Sequence, residues 1–409
     1  MFKVKQVNKN RHCGVVNVMS NSGTCAAGER SNRHDGACNA VLGAFAREEK
    51  KHRHASMVYA MTNSASCNEV IAFRRGKSGK LSRVDAFRTG GRGTGTAEVS
   101  NATPRDGVDP LASQGSLVLS RNGCLLFAVN AGSNSVSSFR VKRDGRLVLV
   151  DVDPSGGTQP NSLAVFGDLL YVANVGDAAN NYNSNVSGFR VRSDGSLALI
   201  PGSTRKLSTF SAQPACVVFS PDGRFLVVTE LTTNRISVFR VNFDGTLSGP
   251  TVNFSSGEGP FGAVFLRNGV LLVAEAGANA LSSYRIVSNG ALCVISASVP
   301  NGQTATCWVA VSKKEHYAYV SNSASGNITI YRIKKDGRLR AGKNVSTTRF
   351  GSAVAPIDIG VSKGNLYALN GNRGSVTVFS IRRNGRLKRI QVKIKTGLPR
   401  LGSQGLAVS

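Results

Sequence analysis

From residue 58 onward, apolar and polar positions alternate with a period of two over short runs, the signature of half-buried β-strands. A fixed unit recurs: an alternating strand ending in Asn or Glu, a small polar turn, a second strand ending in Phe-Arg or Tyr-Arg, then Asp-Gly or Asn-Gly. LLFAVNAGSNSVSSFRVKRDGRL (Leu125 to Leu147) is the clearest copy, and FLVVTELTTNRISVFRVNFDGTL and YAYVSNSASGNITIYRIKKDGRL repeat it. Asp-Gly between alternating strands predicts tight hairpins, because glycine reaches positive φ without a Cβ penalty.

The turn glycines fall at Gly79, Gly145, Gly195, Gly245, Gly290, Gly337 and Gly385, a spacing of 45 to 50 residues with one gap of 66. Four strands fit such a repeat, which is one propeller blade. A further apolar strand precedes each unit except the first, as in SLAVF at 162 to 166 and CVVFS at 216 to 220. The missing one stands at the other end of the sequence, where SQGLAVS (Ser403 to Ser409) echoes SQGSLVLS (Ser113 to Ser120). Pairing that strand with the first blade would remove an exposed sheet edge. The expected fold is therefore all-β, a closed seven-bladed β-propeller of four-stranded blades over residues 56–409. Residues 1–55, with the run REEKKHRH, read as a flexible basic tail, and residues 89–114 as a long loop between blades one and two.

Composition adds a charge problem. Lys plus Arg number 51 against 23 Asp plus Glu, a formal charge of +28, which attracts polyanions. The hairpins expected in blades six, seven, one and two carry most of it, for example Lys334, Lys335 and Arg338, then Arg382, Arg383 and Arg386, then Arg74, Lys77 and Lys80, then Arg140 and Arg143. Solubility alone is the competing explanation. No apolar run approaches the ~20 residues of a spanning helix, and no clear signal peptide precedes the repeats. The eight cysteines form no CxxC pair, so mostly free thiols and an intracellular, cytoplasmic or other reducing compartment are expected.

Candidate chemistry is sparse. Glu230 and Glu275 take the place that Asn130, Asn174, Asn322 and Asn370 hold in other blades. Two such carboxylates at one channel mouth could serve as acid and base, whereas capping of a strand-to-turn junction is the plainer reading. Asp358 is the charged residue that falls on the expected inner strands, and these three acids are the candidate catalytic residues. Arg92, within GGRGTGT, could meet an anion together with backbone amides. Gln114, Trp308 and the four asparagines complete a candidate substrate-binding set, with core packing the simpler role for Trp308. The pattern calls for no cofactor and leaves room for a divalent cation.

The repeat YVxN…VSxFRVxxDGxL, the GGRGTG loop and the DPLxSQGSLVLS segment together resemble the lactonase family of seven-bladed propellers, also called the YVTN type, across residues 58 to 409. That family includes 6-phosphogluconolactonases and carboxymuconate-lactonising enzymes. The resemblance implies a lactonase-like hydrolase or cyclase acting on a small anionic lactone or sugar acid at the central channel. It also implies channel histidines after the proline that begins an inner strand. Here those stretches read Pro160-Asn161-Ser162, Pro214-Ala215-Cys216, Pro260-Phe261-Gly262 and Pro356-Ile357-Asp358, and the five histidines (His12, His34, His52, His54, His316) lie in the tail or a turn. The alternative is a non-catalytic basic scaffold that binds a polyanion, such as nucleic acid or an acidic protein surface, or assembles with other subunits.

Overall fold

The computed structural model describes residues 55–348 and 354–409. The expected tail lies outside them, apart from Ala55. Seven antiparallel sheets follow one another along the chain, each running from an inner strand outward. In blade 4, for instance, the order is Pro214–Phe219, Phe225–Glu230, Arg235–Val241 and Leu247–Phe254. Blade 1 is the exception in chain order: its inner strand is Leu406–Val408, paired antiparallel to Met57–Met61 with Val58 opposite Val408. Ring closure by the C-terminal strand is thus as the echo SQG…SQG predicts. Blade 3 departs from the repeat, because its outer strand is split into Leu197–Leu199 and Arg205–Lys206, both paired with Asn185–Val191.

The hairpin glycines show why the repeat is spaced as it is. Gly145 has φ +86 and Gly385 has φ +77, values that favour glycine. A Cβ on Gly145 would stand 2.3 Å from Met57 Sδ in blade 1, and one on Gly385 would stand 2.5 Å from the Tyr317 ring in blade 6. The bare backbone therefore lies flat against the preceding blade. It is also bonded there: Tyr59 Oη donates to Gly145 O at 2.8 Å, Tyr171 Oη to Gly245 O at 2.6 Å, and Tyr319 Oη to Gly385 O at 3.1 Å. Ser138 Oγ does the same for Gly195 O at 2.7 Å, Ser283 Oγ for Gly337 O at 2.9 Å, and Asn253 Nδ2 for Gly290 O at 3.2 Å. A side-chain donor of one blade thus holds the hairpin of the next at six of the seven contacts; at the seventh, between blades 7 and 1, the Tyr367 hydroxyl has no hydrogen-bond partner among the described residues.

The inner strands converge on the central channel, and most carry an irregularity near their starts. Pairing skips Asn161 in blade 3, Ala215 in blade 4 and Asp358 in blade 7, each the extra residue of a β-bulge. Blades 5 and 6 skip Phe261-Gly262 and Cys307-Trp308 at the same level. Bulges bend a strand and re-aim side chains, so these residues ring one mouth of the channel. Because the second strands return to this level (Pro214 faces Glu230), the hairpins between third and outer strands sit at the opposite end of every blade.

Loss of one hairpin contact should be measurable. Gly145→Ala combines positive-φ strain with the Met57 overlap and is expected to cost about 2 to 4 kcal/mol. Tyr171→Phe leaves Gly245 O without its donor and should cost about 1 kcal/mol. Chemical denaturation of the two variants beside wild type checks both values.

Candidate functional site

The link between blades 1 and 2 does not run over the surface. After Arg88 it turns through Gly90 to Thr96, enters the channel mouth, and leaves along the blade 2 inner strand Leu117–Leu119. Val99, Leu111 and Ser113 are 0% exposed, and Val99 and Leu111 belong to the largest apolar cluster of the molecule. The segment is a plug, held by the ring of bulges. Asn161 Nδ2 donates to Leu111 O at 3.2 Å, Trp308 Nε1 to Ser113 O at 2.9 Å, and Gln114 N to Ala215 O at 2.8 Å.

Four glutamines finish the seal. Gln114 reaches across, its Oε1 accepting from Val309 N at 2.9 Å and its Nε2 donating to Ala263 O at 3.1 Å. Gln404, its counterpart in the second SQG, accepts from Leu111 N at 2.8 Å and donates to Ser113 O at 3.0 Å. Gln159 Oε1 accepts from Ser100 N at 2.8 Å, and the Gln213 amide, oriented by its partners, donates to Asn101 O at 2.9 Å and accepts from Ala102 N at 3.2 Å. An amide side chain suits this task because it offers a donor and an acceptor together.

Two carboxyls lie at this mouth, Asp358 on the blade 7 bulge and Asp109 on the plug, near enough that the Asp358 charge acts on Asp109. Asp358 is 3% exposed with φ +59, a left-handed conformation uncommon for a residue other than glycine. Its Oδ2 accepts from Leu406 N at 2.8 Å, which ties the closing strand in place. Asp109 keeps a little surface, but its Oδ1 is buried without a hydrogen-bond partner, as are Asn161 Oδ1 and Ser116 Oγ close by. Burial pushes the Asp358 carboxyl up to about 7. Desolvation, with the Asp358 charge adding to it, pushes Asp109 up to about 8.

The other expected site residues have different places. Asn130, Asn174, Glu230, Glu275, Asn322 and Asn370 end second strands, one strand out from the channel, and all are 0% exposed. Glu230 accepts from Ser208 N at 3.1 Å, Ser237 Oγ at 2.6 Å, Thr233 Oγ1 at 2.9 Å and Ser208 Oγ. Glu275 Oε1 accepts from Ser282 Oγ at 2.6 Å and Gly257 N at 2.9 Å. These bonds lie within each blade and the link leading into it, so the two carboxylates cap their blades separately rather than facing each other. Asn130, Asn322 and Asn370 likewise donate to Ser137, Thr329 and Thr377, the hydroxyl seven positions on.

Arg92 has an exposed side chain, but the amides around it are spent. Gly91 N donates to Thr89 Oγ1, Arg92 N to Ser133 Oγ, Gly93 N to Ser64 O and Gly95 N to Asn63 O. The loop is a packed connector and offers no open anion nest at those amides. Trp308 is 0% exposed and packs edge-on against Phe261, with centroids 5.0 Å apart. Cys216 and Cys307 are buried free thiols, and burial raises both, Cys216 to about 12, so neither is a ready nucleophile. Among the described residues, no group of three or more His, Cys, Asp or Glu is gathered to hold a metal ion, and no helix is long and apolar enough to cross a membrane.

The seven-bladed architecture agrees with comparison to known proteins. The model of the seven-bladed β-propeller lactonases matches residues 101–401, and the chain belongs to that family. No curated protein sequence matches it. Among solved structures it is similar to the periplasmic gluconolactonase of Pseudomonas aeruginosa, at 18% identity and TM-score 0.63, covering 86% of this chain and 98% of that one. It is also similar to a Bacteroides uniformis protein provisionally named 6-phosphogluconolactonase, at 20% identity and TM-score 0.64, covering 87% and 100%. A Lactobacillus plantarum protein aligns at 17% identity and TM-score 0.65, covering 87% and 99%. At these identities the likeness is one of fold.

The carboxyl pair has a thermodynamic signature. Both groups hold protons in the folded state at pH values where the unfolded chain has lost them, so their contribution is complete below about pH 4 and is lost as pH rises toward 7 to 8. The double variant Asp109→Asn, Asp358→Asn removes this loss. Its stability relative to wild type should therefore increase from pH 5 to pH 8, as read by melting temperature across that range.

Proposed function

We propose that this protein hydrolyses a small anionic lactone or sugar-acid lactone at the mouth of its channel, with Asp358 and Asp109 as base and acid. The observation that supports this reading is a buried carboxyl on a left-handed bulge, Asp358, whose charge reaches a second carboxyl, Asp109, with a buried unpartnered oxygen. Strained backbone and unsatisfied buried polar atoms concentrate at functional sites, and family membership supplies the reaction class.

Burial raises both carboxyls into the neutral range, where either can hold or release a proton. In the proposed step, water adds to the lactone carbonyl carbon while Asp358 takes its proton. The ring C–O bond breaks and the leaving alkoxide receives the proton of Asp109, giving the open hydroxy acid. The two carboxyls then re-equilibrate their protons through solvent. The substrate's own anionic group would meet guanidinium groups on the same face. Arg92 and Arg105 are exposed there, and Arg400 is exposed beside Gly402, whose N–H donates to Gly107 O of the plug. Gln114 and Trp308 act in this reading by holding the plug, and with it Asp109, against the inner strands. Glu230, Glu275 and the four asparagines keep the blade ends in place.

A panel of sugar-acid and carboxylated lactones, with and without divalent metal ions, tests the proposal. Turnover should follow a bell in pH, rising as Asp358 ionises and falling as Asp109 does, with a maximum near pH 7 to 8. Asp358→Asn and Asp109→Asn should each lower kcat by about 100-fold or more. Glu230→Gln should keep it within about threefold once folding is verified. Full turnover by Asp358→Asn would remove that residue from the chemistry.

A further inference from the structure

We infer that the hairpin face of blades 6, 7 and 1, at the end of the propeller away from the plugged mouth, is a docking surface for the phosphate backbone of double-stranded nucleic acid. The hairpins of these blades are neighbours: that of blade 7 packs on Tyr317 of blade 6, and that of blade 1 on Asn365 of blade 7. The blade 7 hairpin runs Arg382-Arg383-Asn384-Gly385-Arg386, and the blade 1 hairpin Lys77-Ser78-Gly79-Lys80; neither contains an acid. Arg382, Arg383, Arg386, Lys77 and Lys80 are exposed, and among the described residues none has a carboxylate within ion-pair distance. Blade 6 adds Lys334 and Lys335, also exposed, while its one hairpin acid, Asp336, is taken by Arg338 at 2.6 Å.

The charge is placed, not merely abundant. On the same face, the blade 4 and blade 5 hairpins read Asn242-Phe243-Asp244-Gly245-Thr246 and Val287-Ser288-Asn289-Gly290-Ala291, with no cation in either. Blades 4 and 5 keep Arg224, Arg240, Arg267 and Arg285 exposed at this end, so the contrast lies in the turns themselves, where cations crowd blades 6, 7 and 1. Some of the arginines are also pre-set. Arg75 donates to Asn365 Oδ1 at 2.8 Å and to Lys363 O at 3.1 Å, and Arg74 to Asp144 O at 3.3 Å, so both bridge to a neighbouring blade. A continuous arc of one sign suits a rod that carries a phosphate charge every ~1.7 Å, and guanidinium groups match phosphate oxygens in pairs. No aromatic side chain stands among these hairpin residues, so the arc lacks the stacking platform that single strands use.

The test is binding of a labelled 30-base-pair DNA duplex to the full chain from 50 to 300 mM KCl. Wild type should bind at 50 mM and weaken steeply with salt. The triple variant Arg382→Glu, Arg383→Glu, Arg386→Glu should bind about 10- to 100-fold more weakly at 50 mM and lose about three from the log–log salt slope. Arg235→Glu, at the other end of the blades, should stay within about twofold of wild type. No duplex binding at 50 mM, a triple variant that binds as wild type does, or an equal loss in Arg235→Glu would overturn the proposal. So would polyglutamate binding as tight as the duplex, because the surface would then be reading acidic protein rather than phosphate.

Discussion

The whole ring depends on close approach of backbone to blade. Each hairpin lies flat on its predecessor, which requires a glycine at positive φ, and in six of the seven its carbonyl accepts from a side-chain donor of that predecessor. Hydrophobic burial supplies most of the drive to stack β-sheets, but it is non-directional and would accept many offsets. The hairpin bond fixes one. Repeating the same fixed offset around seven blades closes a circle, and the circle in turn sets the width of the channel that the plug must fill.

That geometry divides the molecule into two ends with different chemistry. At one end the inner strands bulge inward and meet a segment of the chain itself, so backbone amides, four glutamine side chains and two carboxyls share a small desolvated space. At the other end the hairpins point into solvent; in six of them the Asp or Asn before the glycine is fixed by accepting from the amide two positions on, and the residues around that pair vary. The first end therefore holds groups whose protonation is coupled to structure. The second is free to vary in charge from blade to blade, and it does.

The repeat was legible because its signals are local: alternation, turn glycines, and terminal Asn or Glu can each be read within one unit. The closing strand was legible too, from the echo of SQGSLVLS in SQGLAVS. Asp358 and Gln114 were found as the charged and amide residues near inner strands. Asp109, Gln404 and Asn161 were missed, because a loop's insertion into a channel is a long-range event that leaves no periodic trace. The repeated Ser-Gln-Gly was the available clue, and it pointed to the plug as well as to closure. For Glu230 and Glu275 the plainer of the two readings, capping, fits the bonds: Ser237 and Ser282, seven positions on, donate to them in the place where Thr329 and Thr377 accept from the asparagines. The outer strand of blade 3 is split where Pro201-Gly202 forms a turn between Leu197–Leu199 and Arg205–Lys206.

Closure joins positions far apart in time as well as in sequence: Met57 N bonds Ser409 Oγ across 352 positions. The strand Met57–Met61 emerges from the ribosome among the earliest of the propeller, yet its partner Leu406–Val408 arrives after every other blade has been made. During that interval it is an open sheet edge, the kind that pairs with other chains. The Gln404 that comes with the late strand also fastens the plug, so one event seals the rim and the centre together.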